Sequence, residues 1–213
     1  MEEQHQTLEN VYWIGGGTDA GKSTAARLLA ARYNLTVYLY DRSDQAHIEQ
    51  LAFNDPYYQA FLSQSLDERW VTPEAEALFQ RLLRTFADRL PLVLGDLRGF
   101  PAGQGIVAEG FGFLPEMIVP LLSRPNQAVW LVPTDDFKRE SMERRGKPSY
   151  AALVKDPQRA KANLLERDRL LNALIRSQAQ ALGCRLIEVD GARSAEETAG
   201  ELARYFGLSE ASG

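Results

Sequence analysis

The octapeptide Gly16-Gly17-Thr18-Asp19-Ala20-Gly21-Lys22-Ser23 fits the pattern G-x-x-x-x-G-K-[ST]. It follows the apolar run 11–14, which predicts a buried strand, and it precedes an alanine-rich stretch over 22–33, which predicts a helix. Glycines in such a turn allow the backbone to wrap a phosphate with its N–H groups, and the helix N-terminus adds partial positive charge. The octapeptide therefore predicts a site for a nucleoside triphosphate.

Three side chains at the end of this loop have expected roles in that site. The Lys22 ammonium is expected to reach the β- and γ-phosphates, and the Ser23 hydroxyl is expected to bind Mg²⁺. Thr24 follows directly and is expected beside the α-phosphate. A chance match in a glycine-rich turn is the alternative, but the strand and helix that flank the loop argue against it.

Four further short apolar runs predict strands, at residues 36–40, 106–108, 127–132 and 185–189. Helical patterns separate them, and strands that alternate with helices indicate a parallel sheet covered on both faces. Residues 43–98 show no convincing strand. Asp55-Pro56, Thr72-Pro73 and Asp156-Pro157 each predict a helix start with a capping residue before proline, and an apolar stripe over 73–90 predicts a long helix. Thr134 and Ser194 predict two further helix caps.

Composition excludes several classes of protein. The chain has 213 residues, a net charge of −5, 45% apolar residues and a pI of about 5.2, which is typical of a globular protein and argues against a general nucleic-acid binder. One cysteine excludes an internal disulfide, and two histidines argue against a His/Cys zinc site. No apolar run reaches membrane-spanning length, and the polar start over 1–10 is no secretory signal, so we expect a cytoplasmic protein.

Positive charge is concentrated in one stretch of this acidic chain. Residues 138–169 contain ten basic and five acidic side chains, a local charge of +5 that leaves −10 for the rest. A local basic patch suggests an anionic ligand, whereas a solvated helix surface with interleaved charges is the alternative interpretation. In that second interpretation, Arg139 and Glu143 are i,i+4 partners.

The glycine-rich loop and this layout resemble the P-loop kinases of the nucleoside-monophosphate-kinase and shikimate-kinase group, over about residues 11–207. The resemblance implies an α/β three-layer fold with a five-stranded parallel sheet in the order 2-3-1-4-5 and helices on both faces. It also implies a single domain over 1–213, with a helical substrate-binding insertion at about 43–98 and a basic helical lid at about 138–169. ATP and Mg²⁺ are the implied cofactors, and a small-molecule phosphoryl acceptor is the implied partner. The Asn/Thr-Lys-x-Asp motif of GTPases is absent.

Acidic residues that follow strands are the next candidates. By the resemblance, Asp41 orients or deprotonates the acceptor hydroxyl, although an ordinary capping role is open for it. Glu109 stands where such kinases commonly carry an aspartate that holds the Mg²⁺ hydration shell, and a contact with the substrate is the alternative. Further acceptor contacts are expected from Asp44, His47 and a flexible loop that starts at Gly110. Asp190 and Gly191 are expected beside the adenine.

Arginines complete the predicted site, because phosphoryl transfer spreads negative charge that guanidinium groups stabilise. By the resemblance, Arg139 packs on adenine, Arg144 or Arg145 reaches phosphate at the lid entrance, and Arg167 closes from the other side. Arg42 and Arg98 are expected to bind an anionic acceptor. An aromatic group before Thr72 is interpreted as helix packing rather than a stacking pocket; it comprises Phe53, Tyr57, Tyr58, Phe61 and Trp70.

These patterns favour an ATP- and Mg²⁺-dependent kinase of a small metabolite. A nucleoside monophosphate kinase is an alternative that needs a second set of phosphate-binding arginines, for which Arg42, Arg69, Arg81, Arg84 and Arg98 are available. A nucleotide-dependent regulatory protein with slow hydrolysis is a third hypothesis. Neither the acceptor nor the oligomeric state follows from the sequence.

Overall fold

Five parallel strands form one sheet in a computed structural model of the chain, which describes residues 8–209. The strands are β1 (Val11–Gly16), β2 (Thr36–Leu39), β3 (Ile106–Glu109), β4 (Ala128–Pro133) and β5 (Leu186–Val189). Their order is β2-β3-β1-β4-β5, so the predicted sheet is confirmed. In the register, Ile14 of β1 lies opposite Glu109 of β3, and Gly16 lies opposite Leu131 of β4. The predictions for residues 1–7 and 210–213, including the absence of a secretory signal, lie outside the described residues.

Helices cover both faces of this sheet, as predicted. The α-helices are α1 (Lys22–Tyr33), α2 (Asp44–Ala52), α3 (Pro56–Ser63), α4 (Leu66–Trp70), α5 (Ala75–Arg98), α6 (Pro115–Ile118), α7 (Asp135–Arg144), α8 (Pro157–Ala181) and α9 (Ala195–Phe206). One core layer joins Trp13 and Trp130 of the sheet to α5, α6 and α8, and the other joins Ile14 and Leu131 to α1 and α9. No helix within residues 8–209 is long and apolar enough to span a membrane.

Several predicted element ends are wrong for local reasons. β2 stops at Leu39, and Tyr40–Ser43 forms a 3-10 helix, so Asp41 does not end the strand. The long helix does not start at Pro73, because the Thr72 amide still donates to the Asp67 carbonyl at the end of α4. It begins instead after Glu74 and continues through Pro91 to Arg98. The caps predicted at Asp55, Thr134, Asp156 and Ser194 are all present.

Because all five strands are parallel, their carboxyl ends lie at one edge of the sheet, which is where ligands bind in open α/β folds. The β1–α1 loop leaves the centre of this edge, between β3 and β4. Helices α2 to α5 connect β2 to β3 on one side, and the segment 145–156 connects α7 to α8 on the other. The fold therefore places the sequence motif between two long connections.

Candidate active site

A cleft of about 680 Å³ opens at the carboxyl edge of the sheet, directly over the glycine-rich loop. Every residue from Thr18 to Thr24 lines it. The other lining residues come from α1, the start of the insertion, the end of β3 and the connection between α7 and α8. They are Arg27, Asp41, Asp44, Glu109, Phe111, Arg145, Lys147, Ser149, Tyr150 and Arg167. The structure thus brings together residues that are more than 140 positions apart in the sequence.

Two kinds of glycine build the loop. Gly21 has a φ of 79° and lines the cleft, and a Cβ added there meets nothing within 4 Å. At Gly16 an added Cβ would lie 2.0 Å from the Leu131 carbonyl oxygen, and at Gly17 it would lie 2.1 Å from Asn172 Oδ1. Gly16 and Gly17 do not line the cleft, and the lack of a side chain at each lets the loop lie close to β4 and α8; their predicted contact with a phosphate stays a prediction.

Lys22 is buried at the floor of the cleft, where its ammonium group donates a hydrogen bond of 2.6 Å to the Gly17 carbonyl. Burial lowers the pKa of Lys22, while the negative charges of Glu109 and Asp41 act in the opposite direction. The cation is therefore held by its own loop and lies in the field of two carboxylates. This is the position from which a lysine reaches the phosphates of a nucleotide bound on the loop.

Ser23 and Glu109 form an oxygen-rich pair in the cleft near Lys22. The Ser23 hydroxyl donates a hydrogen bond of 2.9 Å to Glu109 Oε1, although the two residues belong to α1 and β3. Burial raises the pKa of Glu109, and the charge of Lys22 and the Ser23 hydrogen bond partly offset that effect. A hydroxyl and a carboxylate at this distance are hard oxygen donors, which fit Mg²⁺ better than softer metals.

Asp41 lines the same cleft from the 3-10 helix that follows β2. The side chain remains open to the cleft, yet the surrounding protein removes part of its hydration and raises its pKa. Lys22 lowers the pKa of Asp41, and Asp44 raises it. Asp44 also lines the cleft, where it accepts a hydrogen bond of 2.6 Å from Arg89. Asp41 is therefore a carboxylate in the cleft beside Lys22, and its role toward an acceptor stays a prediction.

A buried ionic network on the opposite side of the loop was not predicted. Lys138 of α7 lies 2.7 Å from Asp19 and 2.6 Å from Asp168 of α8, and it also donates to Thr18. Burial alone raises the pKa of Asp168, but Arg167 and Lys138 lower it to about 2. The sequence showed Lys138 and Asp168 only as members of a charged stretch, and Thr18 and Asp19 only as loop residues, because the partners lie on separate elements. Arg27 was also missed, although its position one turn after Ser23 on α1 was a signal.

Among the predicted arginines, the structure places Arg145 and Arg167 in the cleft and Arg144 and Arg139 outside its lining. Arg144 is exposed at the end of α7. Arg139 is exposed and pairs with Asp136 one turn earlier rather than with Glu143, which pairs with Lys161 instead. The predicted adenine and phosphate contacts of Arg139 and Arg144 do not agree with these positions.

The β5–α9 loop also lies outside the cleft lining. Asp190 accepts a hydrogen bond from the Ala192 amide, and an added Cβ at Gly191 would approach the Phe137 ring to 2.9 Å. These two residues therefore form a turn packed on the start of α7. Their predicted contact with adenine is untested and has no support from the lining of the cleft.

Four predicted acceptor residues are placed elsewhere. His47 is buried between Arg89 and Asp96, with its Nε2 3.0 Å from the Asp96 carboxylate, and burial lowers its pKa. Arg42 is exposed outside the lining, and Arg98 ends α5 near the amino edge of the sheet. Gly110 is buried, and a Cβ added there would lie 2.5 Å from the Tyr40 side chain. The loop that was predicted to be flexible is therefore tightly packed. None of these four residues lines the cleft.

A second cavity of about 200 Å³ adjoins the cleft within helices α2 to α5. Asp44, Phe111 and Arg167 line both spaces. Its walls are mostly apolar and include Tyr57, Tyr58, Phe61, Trp70, Phe86, Leu78 and Leu82. Four of the five aromatic residues that were interpreted as helix packing therefore line a cavity, and the fifth, Phe53, is exposed.

Comparison with known proteins gives only distant similarities. No family model and no curated protein matches the chain. Three solved structures are similar to it. A tunicamycin resistance protein from Deinococcus radiodurans shares 18% identity with a TM-score of 0.46, over 96% of this chain and 99% of that chain. A shikimate kinase from Acinetobacter baumannii shares 13% identity with a TM-score of 0.45, over 95% of this chain and 93% of that chain, and a deoxyadenosine kinase from M. mycoides shares 12% identity with a TM-score of 0.47, over 91% of this chain and 97% of that chain. Two of these three are kinases by name, but similarities of this size carry no argument about the activity of this chain.

Proposed function

We propose that this protein is a kinase that transfers the γ-phosphoryl group of ATP to a hydroxyl group of a small molecule. One observation carries the proposal: the cleft over the glycine-rich loop, which is lined by Lys22, Ser23, Glu109 and Asp41, adjoins a second cavity and shares Asp44, Phe111 and Arg167 with it. A donor site, a carboxylate and an adjoining acceptor cavity are the parts that phosphoryl transfer requires.

In this proposal the loop backbone from Thr18 to Thr24 binds the phosphates of ATP, and Lys22 stabilises the charge of the transferred group. Ser23 and Glu109 supply oxygen ligands for Mg²⁺, which neutralises phosphate charge when bound. Arg27, Arg145 and Lys147 add positive charge around the same space. The segment 138–169 would act as the lid, and helices α2 to α5 would form the substrate-binding region.

Asp41 is the residue proposed to act on the acceptor. Its carboxylate lies in the cleft near Lys22, where it can orient a hydroxyl group and accept its proton as the phosphoryl group arrives. The raised pKa of Asp41 makes it a stronger base than an ordinary exposed aspartate. Asp44 is less suited to this role, because its carboxylate already accepts a hydrogen bond from Arg89.

The second cavity supports an acceptor with a flat apolar part. Arg69 and Arg81 both line it, and their guanidinium carbons lie 4.7 and 5.5 Å from the centroid of the Phe61 ring. Acceptors that combine a ring with an anionic group fit this lining, and nucleoside monophosphates belong to that class. Of the other arginines available for an acceptor phosphate, Arg42, Arg84 and Arg98 do not line the cavity.

The test is a screen for ADP release from ATP and Mg²⁺ with nucleosides, nucleotides, sugars and cyclic acids as acceptors. At least one acceptor should stimulate ADP release, and Lys22→Ala should reduce that stimulated rate at least 100-fold because it removes the charge that stabilises the transferred group. Arg204→Ala, which removes one exposed charge from α9, is the matched control and should keep the wild-type rate. An unchanged rate in Lys22→Ala would overturn the proposal.

A further inference from the structure

The glycine-rich loop contains a carboxylate at its turn. Asp19 has a φ of 65°, in the left-handed region that aspartate tolerates better than most residues, and its side chain has no exposed surface. A negative charge inside a loop that binds phosphates repels the ligand unless cations compensate it. The residues that surround Asp19 therefore decide what this carboxylate does.

Three cations converge on Asp19. Its Oδ2 atom accepts a hydrogen bond of 2.7 Å from Lys138, and its Oδ1 atom accepts one of 2.7 Å from Lys147 and one of 3.2 Å from Arg145. Burial alone raises the pKa of Asp19, but the hydrogen bonds and charges of Lys138 and Lys147 outweigh it and lower the pKa. The carboxylate is therefore ionised at neutral pH.

The three cations depend on Asp19 to different degrees. Lys138 also pairs with Asp168, so it keeps a carboxylate partner if Asp19 is changed. Within residues 8–209, Arg145 and Lys147 pair with no other carboxylate. Both are partly exposed, with side-chain exposures of 49% and 37%, and both line the cleft. Asp19 is thus the one described group that fixes these two long side chains beside the phosphate-binding loop.

We propose that Asp19 is a positioning residue that holds Arg145 and Lys147 at the edge of the cleft, in place to contact the phosphates of a bound nucleotide. Long cationic side chains lose much rotamer freedom when a ligand fixes them, and a carboxylate that fixes them beforehand lowers that cost. The effect on turnover rests on the proposed kinase activity, whereas the effect on the two side chains does not.

Lysine labelling tests the proposal without any activity. The variant Asp19→Asn keeps the shape of the side chain and removes its charge, and a limiting amine-reactive reagent then reports the reactivity of each lysine by mass spectrometry. Lys147 should react at least threefold faster in Asp19→Asn than in the wild type, because it loses its carboxylate partner. Lys155, which is exposed, serves as the internal reference. An unchanged rate at Lys147 would overturn the proposal.

Kinetics of the acceptor-stimulated reaction give the second arm. Asp19→Asn should raise the KM for ATP and lower kcat/KM at least tenfold, and it should change kcat/KM less than twofold when introduced into Arg145→Gln/Lys147→Gln. Glu140→Gln, an exposed carboxylate on α7, is the matched control and should keep wild-type kinetics. A rise in kcat/KM in Asp19→Asn would show that the Asp19 carboxylate repels the phosphates, and it would overturn the proposal. An equal loss of kcat/KM in the wild type and in Arg145→Gln/Lys147→Gln would show that Asp19 acts through other residues, and it would also overturn the proposal. If no acceptor stimulates the wild type, the proposed function fails while the labelling result still decides the role of Asp19.

Discussion

Lys22, Asp41 and Glu109 share one electrostatic environment, although they follow three different strands. Burial raises the pKa of both carboxyl groups and lowers that of Lys22, and the attraction between the lysine and the two acids opposes each shift. The protonation state of each of these residues is therefore influenced by the charges of the other two. At this scale, the sequence predicted that all three lie at the carboxyl edge of the sheet. Lys22 followed from the motif and Glu109 from the end of β3, whereas Asp41 was predicted from a strand end that the structure places two residues earlier, at Leu39.

Asp41→Asn should reduce acceptor-stimulated transfer about 100-fold or more, because general-base contributions have that magnitude. Binding of ATP, measured by calorimetry with Mg²⁺, should change by less than threefold, since the proposed contact of Asp41 is with the acceptor. In the wild type, the rate should fall as the pH drops through the raised pKa of Asp41, at a higher pH than an ordinary aspartate would give. A variant with the wild-type rate would show that another group orients the acceptor.

Helices α7 and α8 are joined to the glycine-rich loop by the buried network of Lys138, Asp168, Arg167 and Thr18. The sequence predicted both helices and both of their capping residues, because those signals are local. It did not predict the network or the second cavity, because both depend on residues far apart in the sequence. The ion pair Asp19–Lys147 joins residues more than 120 positions apart, and the lining of the cavity extends from Asp44 to Arg167. A basic stretch looks the same in a sequence whether its charges are paired inside the protein or solvated.

Asp168→Asn should destabilise the fold by about 3–5 kcal/mol, the usual cost of removing one partner from a buried ion pair. Because the pKa of Asp168 falls from 3.8 to about 2 on folding, its contribution is present above pH 4 and is lost as the pH falls toward 2. Urea unfolding at pH 7 and at pH 3 measures both effects. Asp136→Asn, which breaks an exposed pair, should cost less than about 1 kcal/mol. A loss of under 1 kcal/mol in Asp168→Asn would contradict the structural role of the network.

At the scale of the whole molecule, two long connections, one mainly aromatic and one mainly cationic, flank the glycine-rich loop. Helices α2 to α5 supply an aromatic cavity, and the segment 145–156 supplies cations that face the cleft. The stacked rings of Trp70 and Tyr150, with centroids 5.5 Å apart, join these two connections directly. The alternation of strands and helices predicted the parallel sheet, and the resemblance implied its strand order, but this contact depends on tertiary packing that no local pattern encodes.

The most direct test of the account is to follow the γ-phosphoryl group of ATP by ³¹P NMR in the presence of the acceptor that best stimulates ADP release. The account predicts a new phosphomonoester signal on the acceptor, formed in step with ADP, and no such signal with Lys22→Ala. Formation of inorganic phosphate alone at the stimulated rate would contradict it, because the γ-phosphoryl group would then pass to water rather than to a hydroxyl group in the second cavity.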